Sequence, residues 1–378
     1  MRVLYIISTL DPSYGGPVEG VKNVTNALCN LNIHVDILTL DNSLYNKNLY
    51  KARIYNPGFS IFKYGLNLSI FFWLFKRRNI YDEVIVNGVW QFHTLISRLA
   101  LKKNSYYLYT HGMLDPWFQE RYKFKHIKKL IYWFLFERKN LVNSKSVLFT
   151  TKKEYQLALK SFPFFKCRPY VTGFGLNGLK KIKSINIKKF SYIFSQKKTI
   201  FLHFGRVDPK KGTDILLEAV NKIFNKRSDF ALIIAGPDNF RWSQNLKKKY
   251  SNLIRRELVY WLGEVTDDEK VFLFKKSNFF ILPSHSENFG AVIPEALSVG
   301  VPVITTEKVN IYNIIKLMNS GFICQDKCRS LVSTINKSLN LKVSDYKDLK
   351  INAFNCFEIY FSMDNYIKKL LNLFKDSR

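Results

Sequence analysis

The sequence predicts a chain of two α/β domains, each built around a doubly wound parallel sheet. One observation is that short, continuously apolar β-rich runs alternate with helical patterns, as in parallel sheets whose strands are covered on both faces. The other is the length of 378 residues, which exceeds one ordinary domain and suits two, each able to bury its own core. Because ligands of such sheets bind beyond the carboxyl ends of the strands, we expect the domains to face a central cleft.

Ten apolar runs are predicted as strands, five in each half of the chain. They are residues 3–8, 35–40, 83–86, 106–110 and 147–150, then 200–204, 231–235, 259–262, 279–282 and 302–305. A glycine-rich turn followed by a lysine-rich irregular stretch places the domain boundary within residues 173–198. We assign residues 1–178 to an N-terminal domain and residues 195–358 to a C-terminal domain. We expect residues 359–378 to form a helix that packs back on the first domain.

The composition excludes some classes of protein. A hydrophobic fraction of 47% argues against a disordered or collagen-like chain. The 59 Lys and Arg residues against 29 Asp and Glu give a net charge of +30, which attracts phosphate-bearing substrates, anionic membranes and nucleic acid. The same excess also fits the codon bias of an AT-rich genome. Five scattered cysteines predict free thiols in a reducing cytoplasm, and the apolar stretches fall short of the roughly 20 residues of a membrane-spanning helix.

Two loops of the predicted first domain carry candidate ligand-binding residues. Gly15 and Gly16 follow the first strand, where paired glycines permit a tight turn with backbone N–H groups turned to a ligand. An ordinary strand-to-helix turn explains an isolated glycine pair equally well, and the spacing is not that of a dinucleotide-binding loop. His111 opens the string His-Gly-Met-Leu-Asp-Pro-Trp, which ends at Trp117 and follows another strand. A lone histidine is more often structural, but this position suits a polar contact in a cleft.

Two loops of the predicted second domain carry stronger signals. Arg206 and Lys211 follow the strand 200–204, and two cations at a strand end can neutralise a diphosphate. The alternative is a solvated loop in a very basic chain. The most specific string places Glu287 and Glu295, separated by seven residues, between a buried strand and a helix that Pro294 can start. Their carboxylates can accept hydrogen bonds from sugar hydroxyls, while nearby backbone amides meet a phosphate.

Together these strings resemble glycosyltransferase family four, whose members are retaining enzymes with the two-domain, Rossmann-like GT-B fold. The strongest match is the E-x7-E motif from Glu287 to Glu295, followed by Gly205-Arg206 with Lys211-Gly212. The string from His111 to Trp117 looks like a subgroup that builds bacterial surface polysaccharides, including lipopolysaccharide. The resemblance covers nearly the whole chain in the expected order.

The resemblance implies roles for the donor-site residues of the second domain. Glu287 is expected to contact the hydroxyls of the donor sugar, and Glu295 those of the ribose. Arg206 and Lys211 are expected to bind the diphosphate, with Gly263 in the stretch that faces the base. The backbone amides expected to assist at the phosphates belong to Phe289, Gly290 and Ala291.

The resemblance also implies roles in the first domain and a mechanism. Gly16 belongs to the loop that meets donor phosphate and acceptor, and His111 approaches the donor sugar near the reacting centre. In the mechanism usually proposed for the family, the leaving diphosphate helps to deprotonate the acceptor hydroxyl, so no nucleophile–base pair is needed. Since no Asp-x-Asp motif is present, we predict no essential metal and no cofactor. Asn87 stands where relatives often have histidine, which makes it a poor catalytic candidate.

The expected activity is transfer of a hexosyl or N-acetylhexosaminyl group from a UDP- or GDP-sugar to a hydroxyl of a glycan or lipid-linked acceptor. Residues 121–141 predict an amphipathic helix. Its apolar stripe, at helical spacing, consists of Phe124, Ile127, Leu130, Ile131, Phe134 and Leu135. The helix could rest on an anionic membrane, peripherally at the inner face of the cytoplasmic membrane, or pack into the core. Both interpretations stay open. The rival functions are a GT-B-fold sugar-nucleotide epimerase, a glycoside hydrolase and a basic nucleic-acid-binding protein. Recognition motifs for nucleic acid are missing, so no such partner is expected.

Overall fold

The structure is a computed structural model that describes residues 1–40, 46–58, 60, 64–116, 123–179, 182, 187–194, 198–224, 226–238 and 241–376. The side chains at 123–125, 187, 188 and 241 are not described. The chain divides into two compact units. The first consists of Met1–Leu176 with Met363–Arg378, and the second is Asn177–Ser362.

The first unit contains a seven-stranded sheet in the order β3-β2-β1-β4-β5-β6-β7, with every neighbouring pair parallel. The strands are β1 (Arg2–Ile7), β2 (His34–Thr39), β3 (Arg53–Tyr55), β4 (Glu83–Asn87), β5 (Tyr107–Tyr109), β6 (Ser146–Phe149) and β7 (Pro169–Val171). The helices are α1 (Gly16–Asn30), α2 (Ser69–Arg77), α3 (Phe92–Ala100), α4 (Lys123–Tyr132), α5 (Arg138–Asn143) and α6 (Lys152–Ser161). A π-helix, Trp133–Glu137, joins α4 to α5.

The two faces of this sheet bury separate apolar clusters, because successive strand residues point to opposite sides. Leu4 and Ile6 of β1 belong to the cluster covered by α2, α3, α6 and the segment from α4 to α5. Val3 and Tyr5 belong to the cluster on the other face, which α1 covers. The central strands are therefore mostly apolar, and this is the property on which their prediction rested.

The second unit contains a six-stranded parallel sheet in the order β10-β9-β8-β11-β12-β13. The strands are β8 (Thr199–Phe204), β9 (Phe230–Ala235), β10 (Val259–Gly263), β11 (Phe279–Leu282), β12 (Val303–Thr306) and β13 (Gly321–Cys324). The helices are α7 (Ser191–Phe194), α8 (Thr213–Phe224), α9 (Arg241–Lys249), α10 (Ser251–Arg255), α11 (Asp267–Lys276), α12 (Val292–Leu297), α13 (Tyr312–Leu317), α14 (Cys328–Leu339) and α15 (Val343–Tyr360).

The last helix, α16 (Met363–Asp376), returns to the first unit. Its residues Ile367, Leu370 and Phe374 are buried in the same cluster as Val3 and Tyr5. The predicted fold class, two parallel-sheet, Rossmann-like domains, is confirmed. Within the described residues, no helix combines the length and the apolar composition required to cross a bilayer.

Candidate functional site

The candidate site of the second unit lies at the point where the winding of its sheet reverses. The neighbours β8 and β11 flank this point, since β9 and β10 lie beyond β8 while β12 and β13 lie beyond β11. Loops that leave the carboxyl ends of two such strands diverge and open a crevice in which ligands of doubly wound sheets bind. The loop after β8 carries Arg206 and Lys211, and the loop after β11 carries Glu287, so the topology brings the two strongest sequence motifs to one place.

These two loops are in direct contact. The backbone N–H of His285 donates a hydrogen bond to the carbonyl oxygen of Lys210 at 2.9 Å. Gly212 has a φ of +72° and approaches the neighbouring loop so closely that a Cβ atom there would lie 2.0 Å from the carbonyl oxygen of Pro283. Only glycine can satisfy both the left-handed backbone and the close approach. Gly212 therefore fixes the distance between the loops that carry the candidate ligand-binding side chains.

Lys211 and Glu287 form an ion pair across this contact, with Nζ against Oε2. Their side chains are only 20% and 17% exposed. The backbone of Glu287 is held from a third loop, since its N–H donates to the carbonyl oxygen of Lys308 at 3.1 Å and its own carbonyl accepts from the N–H of Asn310 at 3.0 Å. The structure thus brings one predicted cation and one predicted carboxylate together and anchors the backbone of Glu287 by two hydrogen bonds.

Glu295 lies in the first turn of α12, and its carboxylate pairs with a residue that the sequence did not single out. Nζ of Lys270, on α11, donates to Oε1 of Glu295 at 2.6 Å. No spacing rule links these two residues, because the contact depends on the packing of two helices. The prediction that Pro294 starts the helix was wrong, since α12 begins at Val292. Pro294 is the third residue of α12 and lies within its first turn, where the missing N–H of proline costs no helical hydrogen bond.

The other predicted donor-site residues have separate environments. Arg206 is exposed and forms no ion pair with the described residues. Phe289 buries its ring against Phe361, with centroids 5.7 Å apart, so only its backbone is available to a ligand. Gly290 has a φ of +67°, and Ala291 directly precedes α12. Gly263 ends β10, and an added Cβ there would meet open space.

In the first unit, His111 has a φ of +47°, which is uncommon for a residue with a side chain. Its Nε2 lies 3.0 Å from Oδ1 of Asn87 at the end of β4. Because Nδ2 of Asn87 donates to the carbonyl oxygen of Ile6, Oδ1 faces His111 as an acceptor, and Nε2 must carry the proton. Burial lowers the pKa of His111 to about 3, so the ring is neutral near pH 7, with Nδ1 as its acceptor. Trp117 lies outside the described residues.

The buried carboxylate of Glu154 supports the loop that bears His111, a role that no motif in the sequence indicates. Glu154 accepts hydrogen bonds from the N–H of Gly112 at 2.7 Å, from Oγ1 of Thr110 at 2.6 Å and from the N–H of Thr150 at 2.8 Å. Glu154 thereby links the residues that follow β5 to the residue that follows β6. In the sequence, Thr151 three residues before Glu154 indicates only the start of a helix. The structure confirms that start, since Oγ1 of Thr151 accepts a hydrogen bond from the N–H of Glu154.

Gly16 begins α1, and the preceding Gly15 has a φ of +72°. A Cβ atom on either glycine would have no neighbour within 4 Å among the described residues. The backbone of this turn is therefore accessible to a ligand. In the described part of the chain, no three His, Cys, Asp or Glu side chains come together in a way that could hold a metal ion.

The amphipathic segment from α4 to α5 exposes most of its predicted apolar stripe. Ile127, Ile131, Phe134 and Leu135 are 55%, 58%, 45% and 55% exposed. Leu130 packs against the core, while the side chain of the predicted Phe124 lies outside the described residues. Packing into the core therefore accounts for one member of the stripe and leaves four in contact with solvent.

The fold and the crevice define the class of protein, a two-domain chain of the GT-B type with its candidate site at a switch point. A family model described as "Glycosyl transferases group 1" matches residues 184–355, somewhat less than half of the chain. This segment contains Arg206, Lys211, Glu287 and Glu295. The second unit thus carries a glycosyl transferases group 1 domain.

Similar proteins agree with this domain assignment. The uncharacterized glycosyltransferase MJ1607 of Methanocaldococcus jannaschii is 28% identical over 197 residues, 51% of this chain and 48% of its own. The lipopolysaccharide core biosynthesis mannosyltransferase LpsB of Rhizobium meliloti is 28% identical over 107 residues, 28% of this chain and 30% of its own. The chain thus matches about half or less of the length of these relatives.

Among solved structures, HepE of Anabaena, in complex with UDP and glucose, superposes with a TM-score of 0.71 and 16% identity over 99% of both chains. At this level of identity the likeness establishes the fold. It extends over the first unit as well as the second, which the family model alone does not.

Proposed function

We propose that this chain is a retaining glycosyltransferase that moves a sugar from a nucleotide diphosphate to a hydroxyl of a glycan or lipid-linked acceptor. The observation that carries the proposal is the crevice of the second unit, where Lys211 and Glu287 meet between the loops after β8 and β11. A crevice that offers both a cation and a carboxylate suits a ligand with both phosphates and hydroxyls. A nucleotide sugar has this composition, and the family match of this segment supports the same chemistry.

The cations and the carboxylates of the site bind different parts of the proposed donor. Lys211 has three N–H donors and can share them between Glu287 and a phosphate oxygen. Arg206, exposed at the same strand end, offers a planar set of donors for a second phosphate contact. Glu287 and Glu295 are acceptors for the hydroxyls of the sugar and the ribose, since carboxylates repel phosphate. The amides of Phe289, Gly290 and Ala291 and the backbone at Gly263 complete the proposed donor contacts.

Catalysis in this proposal depends on fixed positive charge. Negative charge develops on the diphosphate as the sugar–phosphate bond breaks, and preorganised cations stabilise it without further reorganisation. Lys211 and Arg206 supply that charge, so the reaction as proposed requires neither a metal nor a cofactor. His111 contributes a neutral hydrogen-bonding ring toward the donor sugar, and Gly16 contributes an accessible backbone turn toward phosphate and acceptor. The departing diphosphate takes the proton of the acceptor hydroxyl on the face of the sugar that it leaves. The new bond from the acceptor oxygen to the anomeric carbon therefore forms on that same face, and the configuration is retained.

The biological setting is proposed from the relatives. LpsB is named as a lipopolysaccharide core mannosyltransferase, and HepE was solved with UDP and glucose. We therefore propose a UDP- or GDP-linked hexose or N-acetylhexosamine as donor, and a role in surface polysaccharide synthesis. The proposed location is the cytoplasm, with peripheral contact at the inner face of the membrane through the exposed stripe of α4. The family match does not favour a sugar-nucleotide epimerase.

The first test is protection of the chain against thermal unfolding by a panel of UDP- and GDP-sugars. A ligand at a hundred times its Kd stabilises the folded state by about 2.7 kcal/mol, which raises Tm measurably. Glu295→Ala should weaken this protection, while Arg206→Ala should chiefly slow transfer. Arg255→Ala, on an exposed arginine of α10, is the matched control and should behave as the unmodified chain.

The second test separates a transferase from an epimerase. A transferase releases free UDP or GDP only when an acceptor is present, whereas an epimerase converts the nucleotide sugar without an acceptor. If no UDP- or GDP-sugar protects the chain, or if both variants transfer sugar normally, the proposed site is wrong.

A further inference from the structure

The turn between β4 and α3 in the first unit has an unusual backbone conformation. Its residues Gly88 and Trp90 have φ values of +98° and +70°. The left-handed region is open to glycine but rare for a bulky aromatic residue, so the surroundings of Trp90 must impose its conformation. The N–H of Gly88 donates to the carbonyl oxygen of Tyr109 at 2.8 Å, and the carbonyl oxygen of Gly88 accepts from Oγ1 of Thr94 at 3.1 Å. These two hydrogen bonds fix the start of the turn but do not involve Trp90.

A buried carboxylate holds the backbone of Trp90. Oε2 of Glu137 accepts a hydrogen bond from the N–H of Trp90 at 3.1 Å. Glu137 is 0% exposed and ends the π-helix, a type of helix that is rare and occurs mostly at functional sites. Since a hydrogen bond to an ionised group is about twice as strong as one between neutral groups, Glu137 stabilises a backbone conformation that Trp90 would not otherwise adopt.

The side chain of Trp90 connects this turn to the loop after β5. Its indole Nε1–H donates to the carbonyl oxygen of Met113 at 3.0 Å, two residues after His111. The N–H of Val89 donates to Sδ of Met113 at 3.5 Å. Nε2 of His111 donates to Oδ1 of Asn87, as described above. These three hydrogen bonds join the loops that follow β4 and β5, and one of them starts from Trp90.

We propose that Glu137 is a positioning residue for the proposed transfer reaction, acting through Trp90 and Met113 on the turn that carries His111. We call this series of contacts the Glu137 linkage. The inference rests on the proposed function, in which the neutral ring of His111 faces the donor sugar. Glu137 is fully enclosed, so it acts through the two loops and not on the substrate. A displacement of about 1 Å in an active site can slow a reaction a hundredfold, so a residue that fixes the turn can control the rate.

The protonation state of Glu137 gives the linkage a measurable signature. Burial raises the pKa of Glu137 to about 7, against the opposing effects of the Trp90 N–H, Asn140 and Arg98. Because the N–H of Trp90 favours the ionised carboxylate, the ionised carboxylate in turn holds Trp90 more tightly, since such a coupling is reciprocal. The turn that carries His111 is therefore held more firmly above pH 7 than below it.

Other titratable groups surround Glu137 and Trp90. Burial raises the pKa of three tyrosine hydroxyls near Glu137, which stay neutral between pH 6 and 8 and belong to Tyr64, Tyr106 and Tyr132. Burial lowers the pKa of Lys129, whose Nζ lies 4.9 Å from the centroid of the Trp90 ring. The ring of His126 packs on Phe162, which also contacts Trp90. The titration of His126 must therefore be separated from that of Glu137, and the variant His126→Gln does so.

The first experiment needs no substrate. Two-dimensional ¹H–¹⁵N spectra of the full chain follow the indole N–H of Trp90 between pH 6 and 8, with the signal assigned from its loss in Trp90→Phe. Glu137→Gln keeps an acceptor oxygen and the size of the side chain but cannot ionise. We expect the Trp90 signal to shift with a midpoint near pH 7 in the unmodified chain and in His126→Gln, and to stay constant in Glu137→Gln. The indole signal of Trp261, in the second unit, is the internal reference.

The second experiment measures sugar transfer. Glu137→Leu removes the acceptor of the Trp90 N–H, and Trp90→Phe removes the donor to Met113 but retains an aromatic ring. Each should lower kcat by roughly tenfold to a hundredfold, with the KM for the nucleotide sugar nearly unchanged. The double variant should be little slower than either single variant, because both interrupt the same series of contacts. Glu137→Gln should recover most of kcat at pH 8 but lose the rise in kcat between pH 6 and 8.

Glu83→Gln is the matched control. Glu83 is another buried carboxylate of the first unit, at the start of β4, and it pairs with Nζ of Lys145 at 3.0 Å. Its replacement should lower the free energy of unfolding but leave kcat and the titration of the Trp90 signal as they are. Circular dichroism checks that each variant is folded. If Glu137→Leu is not folded, Trp90→Phe and Glu137→Gln provide the answer.

Two results would overturn the Glu137 linkage. The first is a Trp90 signal that does not titrate in the unmodified chain, or that still titrates in Glu137→Gln. The second is a loss of kcat in Glu83→Gln equal to that in Glu137→Leu, which would reduce the role of Glu137 to stability. A chain whose Trp90 signal titrates as expected, but which transfers sugar from no UDP- or GDP-sugar, would overturn the proposed function and support the contacts from Glu137 to the His111 turn.

Discussion

At the scale of single residues, Glu287 shows how context gives a side chain its role. Its carboxylate faces Lys211 from the neighbouring strand end, and its backbone is hydrogen-bonded to the loop after β12. The motif spacing identified the residue from the sequence. Its partner was identified separately, as a phosphate ligand. That the two side chains touch depends on β8 and β11 being neighbours, which the order of strands along the chain does not reveal.

Lys211→Met should destabilise the second unit by roughly 1–3 kcal/mol, because it leaves a mostly buried carboxylate without its cation. The double variant Lys211→Met, Glu287→Gln should recover part of this loss, since no uncompensated charge is left. Urea denaturation measures both effects. Lys222→Met breaks an exposed ion pair with Glu218 and should leave the stability almost unchanged, because water screens that pair. Equal losses of stability in Lys211→Met and Lys222→Met would show that the Lys211–Glu287 pair stabilises the second unit no more than an exposed ion pair does.

Asn87 is predicted to set the proton position on His111. Asn87→Ala removes the acceptor at Nε2, so the neutral ring should become a mixture of its two tautomers. Long-range ¹H–¹⁵N NMR correlation of the imidazole nitrogens measures this directly. His93 is the internal reference, since its Nε2 lies 2.8 Å from the backbone carbonyl oxygen of Asn87, which alanine retains. In a transfer assay we expect kcat to fall more than KM rises. An unchanged tautomer of His111 in Asn87→Ala would contradict the assignment.

At the scale of elements, the strands that the sequence missed are β3, β7 and β13, and each lies at an edge of its sheet. A central parallel strand is buried on both faces and appears as a continuous apolar run. An edge strand has one side open, so its sequence needs less apolar character. β3 reads Arg-Ile-Tyr and β7 reads Pro-Tyr-Val. The proline also fits an edge, where no partner requires its N–H.

The contact between the loops after β8 and β11 depends on Gly212. Gly212→Ala would place a Cβ against the carbonyl oxygen of Pro283, so we expect a loss of about 2 kcal/mol or more in unfolding free energy. Protection by the nucleotide sugar should weaken as well, because Lys211 and Glu287 would move apart. Gly205→Ala is the control, since Gly205 also has a positive φ, +139°, but nothing within 4 Å of an added Cβ. If both variants lose a similar amount of unfolding free energy, the loss comes from backbone strain alone and not from the close approach of the two loops.

At the scale of the whole molecule, buried neutral histidines link stability to pH. Burial lowers the pKa of His93, in the first unit, and of His203, in the second, each to about 4. Both rings are fully enclosed and donate to backbone carbonyl oxygens, His203 to that of Ile281 at 2.9 Å. Because the unfolded pKa is about 6.5, the unfolded chain binds the extra protons first. The stability they contribute is present above pH 6.5 and is lost as pH falls toward 4.

For the second unit this predicts a loss of about 2 kcal/mol from His203 between pH 7 and pH 5. His285 acts in the opposite direction, because the neighbouring carboxylates of Asp214 and Asp326 raise its pKa, but its partial exposure makes that effect smaller. Denaturant unfolding of the full chain at pH 7, 6 and 5 measures the slope. His203→Gln should have a flatter profile than the unmodified chain. If both profiles coincide, the buried imidazole does not control acid stability.

The first unit combines groups whose contributions to stability oppose one another over the same change in pH. Glu137 is fully buried there, and burial raises its pKa to about 7. A carboxyl group of this kind stabilises the folded state at low pH and loses that contribution as pH rises through 7. Its effect therefore opposes those of His93 and His111, whose pKa values burial lowers. The pH response of the first unit is the difference between these contributions, which makes the second unit the clearer one to measure.

The sequence by itself determined the two parallel-sheet domains and the strand-end loops that carry Arg206, Lys211, Glu287, Glu295 and His111. These features are local, since apolar periodicity and residue spacing follow from the covalent order of the chain. Only the tertiary structure decided which side chains meet. The pairs Lys270–Glu295 and Asn87–His111, and the support of the His111 loop by Glu154, join residues far apart in sequence. The burial of Glu137 and Glu154 was decided at the same level, because it depends on how the helices pack against the sheet.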